Sequence, residues 1–140
     1  MKLWSIIVLS LLLIPAAHAM TLNDSDVEML VNIKTFAFGG VGYGGDISAG
    51  EKAYKQILAR SSALEDFEKL YEVGNIQAKC YALVGIHILN PKRFNELASS
   101  IRSDKTEVNT MQGCLVGHEP INSIVKNIEE GGYYPINKIK

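Results

Sequence analysis

The chain has 140 residues, with 14 Lys and Arg against 15 Asp and Glu, and 47% of it is hydrophobic. A net charge of −1 leaves no basic excess with which to hold nucleic acid or an anionic membrane surface. The length suits one domain with its own core.

Residues 1–19 read as a cleaved secretory signal. Lys2 supplies the positive start, Ile6 to Ile14 is apolar except for Ser10, and Ala17-His18-Ala19 is a small-x-small cleavage pattern. The apolar run is too short for a comfortable membrane span. No Cys follows the cleavage site, which argues against a lipid anchor. The expected product is a single helical domain, 20–140, exported to the periplasm or beyond and free of the membrane after cleavage. Losing Lys2 moves its net charge from −1 to −2.

Asn23 to Asp26 offers several N-caps, and Val27, Leu30 and Val31 follow at helical spacing, so a helix is expected from about Ser25 to Phe38. The stretch 39–45 is Gly at five of seven positions. Gly40, Gly42 and Gly45 match G-x-G-x-x-G, but no strand precedes them and no βαβ unit surrounds them, so a dinucleotide site is not expected. The stretch is either a tight connector between backbones or a loop that shows Tyr43, flanked by Gly42 and Gly44, to a partner.

Ser48-Ala49-Gly50-Glu51 is a capping-box pattern opening a helix to about Arg60. Ser62-Ala63-Leu64-Glu65 repeats the pattern and opens a third helix, with Leu64, Phe67, Leu70 and Tyr71 at core spacing. Gly74 is its natural C-cap. Asn75 to Asn90 follows, with only Gln77, Lys79 and His87 clearly polar in between. A segment apolar nearly all round is buried on nearly all sides, and its length favours helix over strand. Gly85 in its middle marks either the close approach of another helix or a tolerated glycine. Asn90-Pro91 stops this helix and starts a fifth, carrying Phe94, Leu97, Ala98 and Ile101.

An internal echo runs through these helices. At an offset of 27, Lys52, Tyr54, Phe67 and Leu70 match Lys79, Tyr81, Phe94 and Leu97. Two αα-hairpins stacked as a short helical repeat fit that pattern. Residues 103–119 show no helical period and read as a long loop with a short extended piece at Cys114-Leu115-Val116. Pro120 then starts a sixth helix with Ile121, Ile124, Val125 and Ile128 in register, ended by Gly131-Gly132. The expected fold class is all-α: a compact bundle of about six helices with a Gly-rich loop and one tethered loop. The tether is a disulfide between Cys80 and Cys114, suggested by an even cysteine count in an exported chain and worth roughly 4 kcal/mol.

No catalytic constellation stands out, and no metal or other cofactor is implied: the two Cys with His87 and His118 lack the paired spacing of zinc sites. His118 and Glu119 are read as caps of the sixth helix, and His87 as a core or groove histidine. Glu65, Asp66, Glu68 and Glu72 form an acidic face on the third helix, either solvated or a binding face. In type, a small exported helical chain with one cysteine pair is similar to bacterial periplasmic immunity proteins and inhibitors, although no motif is shared. A protein-binding function through Gly42, Tyr43, Gly44, His118, Glu119, Glu65 or Asp66 is the leading expectation. A small enzyme built on the loop around His118 and a structural or envelope-stress protein are the alternatives. The enzyme requires His118, Glu119 and the Gly-rich loop to meet around one polar cleft.

Overall fold

A computed structural model describes residues 25–133. The signal at 1–19 and its cleavage site lie outside the described residues. Within them, six helices are accompanied by two small antiparallel sheets of two strands each. The helices are α1 (Ser25–Val31), α2 (Ala49–Leu58), α3 (Ala63–Val73), α4 (Ile76–Leu89), α5 (Pro91–Ala98) and α6 (Ile121–Glu129). The strands are β1 (Gly40–Val41), β2 (Asp46–Ile47), β3 (Glu107–Gln112) and β4 (Leu115–Pro120).

Helix α4 is the centre. Every residue from Cys80 to Ile86 is buried, and α3, α5, α6, α2 and β3 all pack on it. Its start is set by Asn75, whose side-chain oxygen accepts from the Ala78 N–H at 2.9 Å. The same residue closes α1: the Asn75 N–H donates to Val31 C=O at 2.9 Å and its amide to Ile33 C=O at 2.7 Å. One asparagine therefore caps two helices. Asn90 repeats the N-cap for α5, accepting from the Arg93 N–H at 3.1 Å. At Gly85 the close-approach reading holds, because a methyl group there would overlap the ring of Phe67 from α3. Two helices share that position, and glycine is what lets them.

The fold is not all-α, and four expectations fall with that class. First, 103–119 is a hairpin, with β3 and β4 in register from Glu107↔Pro120 to Gln112↔Leu115. Its two-residue turn is Gly113-Cys114. Gly113 has φ +57°, and Cys114 is not among the positive-φ residues, the pattern of a type II′ turn. Second, α1 stops at Val31 instead of running to Phe38, because Phe36 leaves to pair with β3. The Phe36 N–H donates to Asn109 C=O at 2.8 Å, and Phe36 C=O accepts from the Met111 N–H at 3.2 Å.

Third, Cys80 and Cys114 form no disulfide. Cys80 is fully buried on α4, whereas Cys114 sits exposed in the hairpin turn. Nothing tethers the hairpin covalently; backbone hydrogen bonds hold it instead. Fourth, the stacked helical repeat does not extend to packing. The Tyr54 ring lies against Phe67 at 5.3 Å. Its counterpart Tyr81 lies against Phe36 at 5.0 Å and Phe38 at 5.2 Å, and Phe94 meets His87 at 4.6 Å. The 36–38 segment occupies the neighbourhood of Tyr81 that a repeat would give to Phe94.

Two expectations follow. Leu83→Ala and Ile86→Ala, both fully buried on α4, should each lower unfolding free energy by about 2–5 kcal/mol in denaturant titrations. A loss below about 1 kcal/mol at both sites, well under the usual core cost, would contradict the central position of α4. In the second, a thiol-reactive dye should label Cys114 in the native protein and Cys80 only after denaturation. Burial, and next the nearby Glu119 carboxylate, push the Cys80 thiol up and keep it protonated. Fast native labelling of both cysteines would contradict the burial of Cys80.

Candidate functional site

The segment 36–42 runs parallel to β3, joined to it at Phe36↔Thr110 and again at Val41↔Gly113. It spends five residues where β3 spends three, so Ala37, Phe38 and Gly39 bulge out of the ladder. A bulge frees backbone groups that need partners when buried. Side chains from α2 and α4 supply them. The Tyr81 hydroxyl accepts from the Ala37 N–H at 3.0 Å and donates to Ala37 C=O at 2.9 Å. Ser48 Oγ donates to the same carbonyl at 3.2 Å, and Glu51 Oε2 accepts from the Gly39 N–H at 2.8 Å.

The capping box is therefore half used. Ser48 Oγ does accept from the Glu51 N–H at 3.0 Å, but the Glu51 carboxylate serves the bulge and the Lys55 ammonium, the latter at 2.7 Å. Gly50 is small for a reason: a methyl there would overlap the Tyr81 hydroxyl. Burial pushes the Tyr81 phenol up, against its hydrogen bonds to Ala37 and Ser48, so the hydroxyl keeps its proton and stays a donor.

This anchoring delivers the Gly-rich hairpin to the tip of the β3–β4 hairpin. The Gly42 N–H donates to Gly113 C=O at 2.9 Å, and the Gly113 N–H donates to Gly40 C=O at 3.2 Å. Tyr43 follows Gly42 directly, and Cys114, Leu115 and Val116 follow Gly113. Tyr43 is fully exposed, Leu115 is 78% exposed and Val116 71%. Ile47 on β2 is exposed as well. Leu115 and Val116 are successive residues of β4 and so point to opposite faces of the hairpin. With Tyr43 they flank the joined tips, and large apolar side chains exposed on a braced backbone are candidates for an interaction surface. Of the residues singled out in the sequence, Gly42, Tyr43 and Gly44 belong to this surface. Leu115 and Val116 were missed as functional residues. Their apolar character had suggested an extended piece, and only the hairpin turn shows that they face solvent.

The other candidates fall elsewhere. His118 is exposed on β4 opposite Asn109, three residues and so about 10 Å along the strand from Leu115 at the hairpin tip. Glu119 neighbours it in sequence but leaves for α6, where its Oε1 accepts from Ser123 Oγ at 2.8 Å and Asn127 Nδ2 at 3.1 Å. Neither residue caps α6. The first N–H groups of that helix donate to backbone carbonyls, Ile121 to Thr106 at 2.9 Å and Asn122 to Asp104 at 3.2 Å. His118, Glu119 and the Gly-rich loop do not meet around one cleft. On α3, Asp66 is taken by Ser62 at 2.9 Å and Arg60 at 3.6 Å, Glu68 by Arg93 at 2.8 Å, and Glu65 stays exposed. That helix packs on α1, α2 and α4. No group of three or more His, Cys, Asp or Glu among the described residues could hold a metal ion.

A cavity of about 360 Å³ adjoins the hairpins, with Phe36, Phe38 and Tyr133 on one side and Met111 and Gln112 of β3 on another. Tyr133 reaches it because α6 ends in a Schellman turn. Gly131 has φ +79° and donates to Ile128 C=O at 3.0 Å, and Gly132 donates to Asn127 C=O at 2.8 Å. The chain reverses there, and the Tyr133 ring lies 5.0 Å from Phe36 and 5.8 Å from Phe38.

Tyr81→Phe removes one oxygen and should leave the Ala37 N–H buried without a partner. The expected cost is about 1–3 kcal/mol of stability, with faster hydrogen exchange at Ala37, Gly42 and Gly113 than elsewhere in the sheet. Unchanged exchange at Ala37 would show that the hydroxyl does not hold the bulge.

Comparisons of the chain with protein-family models, with curated proteins and with solved structures return no match.

Proposed function

We propose that the chain is a small exported protein that binds another protein, in the manner of an inhibitor or immunity protein, through the joined tips of its two hairpins. One observation carries this reading: Tyr43, Leu115 and Val116 stand exposed around the hydrogen bonds that join Gly113 to Gly42 and Gly40. Exposing large apolar groups to water is unfavourable, and burying them against a partner is the usual return. Tyrosine is also among the residues that most often dominate binding energy at interfaces.

The backbone under these side chains supports the same reading. The Gly-rich hairpin is tied to β3 by hydrogen bonds and to α2 through Glu51 and Ser48. A partner meeting it does not have to order a floppy loop, which removes part of the entropic cost of association. Export rests on residues 1–19 as read from the sequence, and it places the partner outside the cytoplasm. No observation favours an enzyme.

The test is capture from a periplasmic extract with the tagged wild-type protein and with a Tyr43→Ser, Leu115→Ser, Val116→Ser variant. The wild type should retain a specific protein. The variant should lose it, with about 2 kcal/mol or more of affinity expected from Tyr43 alone. Its stability should stay within about 0.5 kcal/mol per substitution, as for exposed positions generally. Equal capture by both proteins, or no specific capture by the wild type, would remove this reading.

A further inference from the structure

The cavity beside the hairpins combines features that the exposed surface does not use. Three of its wall residues are aromatic rings in mutual contact: Phe36 and Phe38 at 5.5 Å, Phe36 and Tyr133 at 5.0 Å, Phe38 and Tyr133 at 5.8 Å. The polarizable side chain of Met111 joins them. Aromatic faces carry partial negative charge and attract cations. Among these groups stands one carboxylate, that of Glu119.

Glu119 is held but not neutralised. Both of its hydrogen-bond donors, Ser123 Oγ and Asn127 Nδ2, reach the same oxygen, Oε1. Among the described residues, no Lys, Arg or His forms an ion pair with it. Its second oxygen, Oε2, keeps its capacity to accept. Burial pushes the Tyr133 phenol up, and Asn127 also acts on it, holding it down against that larger push. A half-buried carboxylate in an apolar surround is unfavourable unless a positive partner completes it.

The volume, about 360 Å³, lies at the lower end of ligand sites, which run from roughly 300 to 1,000 Å³. Aromatic walls with a single carboxylate among them fit a group that has an apolar stem and a cationic end. A wholly apolar group would cover the carboxylate without pairing it, and an acidic group would be repelled.

We propose that this cavity receives a lysine or arginine side chain of the partner protein, its cationic end on Glu119 Oε2 and its stem against Phe36, Phe38 and Met111. The proposal rests on the protein-binding reading above and deepens it by naming the chemistry of one anchor. The cavity adjoins the exposed tips through Gln112, which precedes Gly113, so one partner can engage both.

The experiment is an NMR titration of the full mature chain with Nα-acetyl-lysine methylamide, and separately with its neutral isostere Nα-acetyl-norleucine methylamide. The lysine probe should shift the Met111 methyl and the Phe36, Phe38 and Tyr133 ring signals, and bind about tenfold more tightly than the isostere. Glu119→Gln keeps the oxygen that Ser123 and Asn127 bond. It should abolish the preference while the variant still folds and still binds the isostere weakly. Equal binding of the two probes would overturn the proposal. So would shifts confined to other regions, no shift with either probe, or a preference that survives Glu119→Gln. A lysine preference that emerges only in a Lys138→Ala, Lys140→Ala variant would assign the cation to the chain's own tail and overturn the assignment to a partner. No partner protein enters this titration, so its failure is distinguishable from failure of the capture experiment.

Discussion

The Tyr81 hydroxyl, set between the N–H and C=O of Ala37, is the contact on which the rest of the structure depends. A two-stranded hairpin is marginal on its own in water. The β3–β4 hairpin gains order from the segment 36–42, which pairs along it at both ends. That segment can enter a helical core only if its bulged backbone groups find partners, since orphaned ones cost as much as a lost hydrogen bond. Tyr81 meets this need from α4, and Ser48 and Glu51 meet it from α2. Gly50 completes the arrangement by leaving room for the phenol. The helical core is thus the frame that positions a small sheet.

The helical part was legible in the sequence because its signals are local and redundant. Asn75 to Asn90 is apolar nearly all round, and nine of the fourteen residues of α4 are buried. Asn75 and Asn90 announced its ends through their own chemistry. The sheet was not legible because its strands lack the alternation that identifies a half-buried strand. In β3 only Val108 is buried, and β4 has no buried residue. Pairing with 36–42 joins positions more than seventy residues apart, which no periodicity encodes. The capping-box signal at Ser48 and Glu51 marked the right helix start, but the buried Glu51 carboxylate accepts from the Gly39 N–H instead. The even cysteine count suggested a bond that does not form: Cys80 is buried on α4 and Cys114 stands exposed in the hairpin turn.

The candidate sites divide along the same line. Tyr43 could be singled out because a large aromatic among five glycines has no core to join. Leu115 and Val116 could not, since apolar residues in sequence are read as interior until a turn places them outside. The cavity gave no signal at all. Phe36 and Phe38, Met111, Glu119, Asn127 and Tyr133 come from separate elements. Glu119 was noticed for the wrong reason, as a cap of α6, when that helix takes its first-turn partners from the carbonyls of Asp104 and Thr106. What brings these residues together is the Schellman turn at Gly131 and Gly132 at one end and the anchored bulge at the other.

From the sequence, the Gly-rich stretch was either a connector between backbones or a loop that shows Tyr43 to a partner. In the structure the two readings are consequences of one geometry. Gly40 is a connector residue: a methyl there would press on Gly45, and its carbonyl accepts from Gly113. Gly42 and Gly45 take φ of +70° and +65°, values that other residues rarely adopt, and so the chain turns tightly enough to leave Tyr43 at the tip. The backbone hydrogen bonds of Gly40 and Gly42 to Gly113 hold the tip in place, and Tyr43 stands fully exposed on it. A tyrosine on such a backbone has only two side-chain torsions left to lose when a partner covers it. Tight connection is therefore the physical condition for presenting Tyr43.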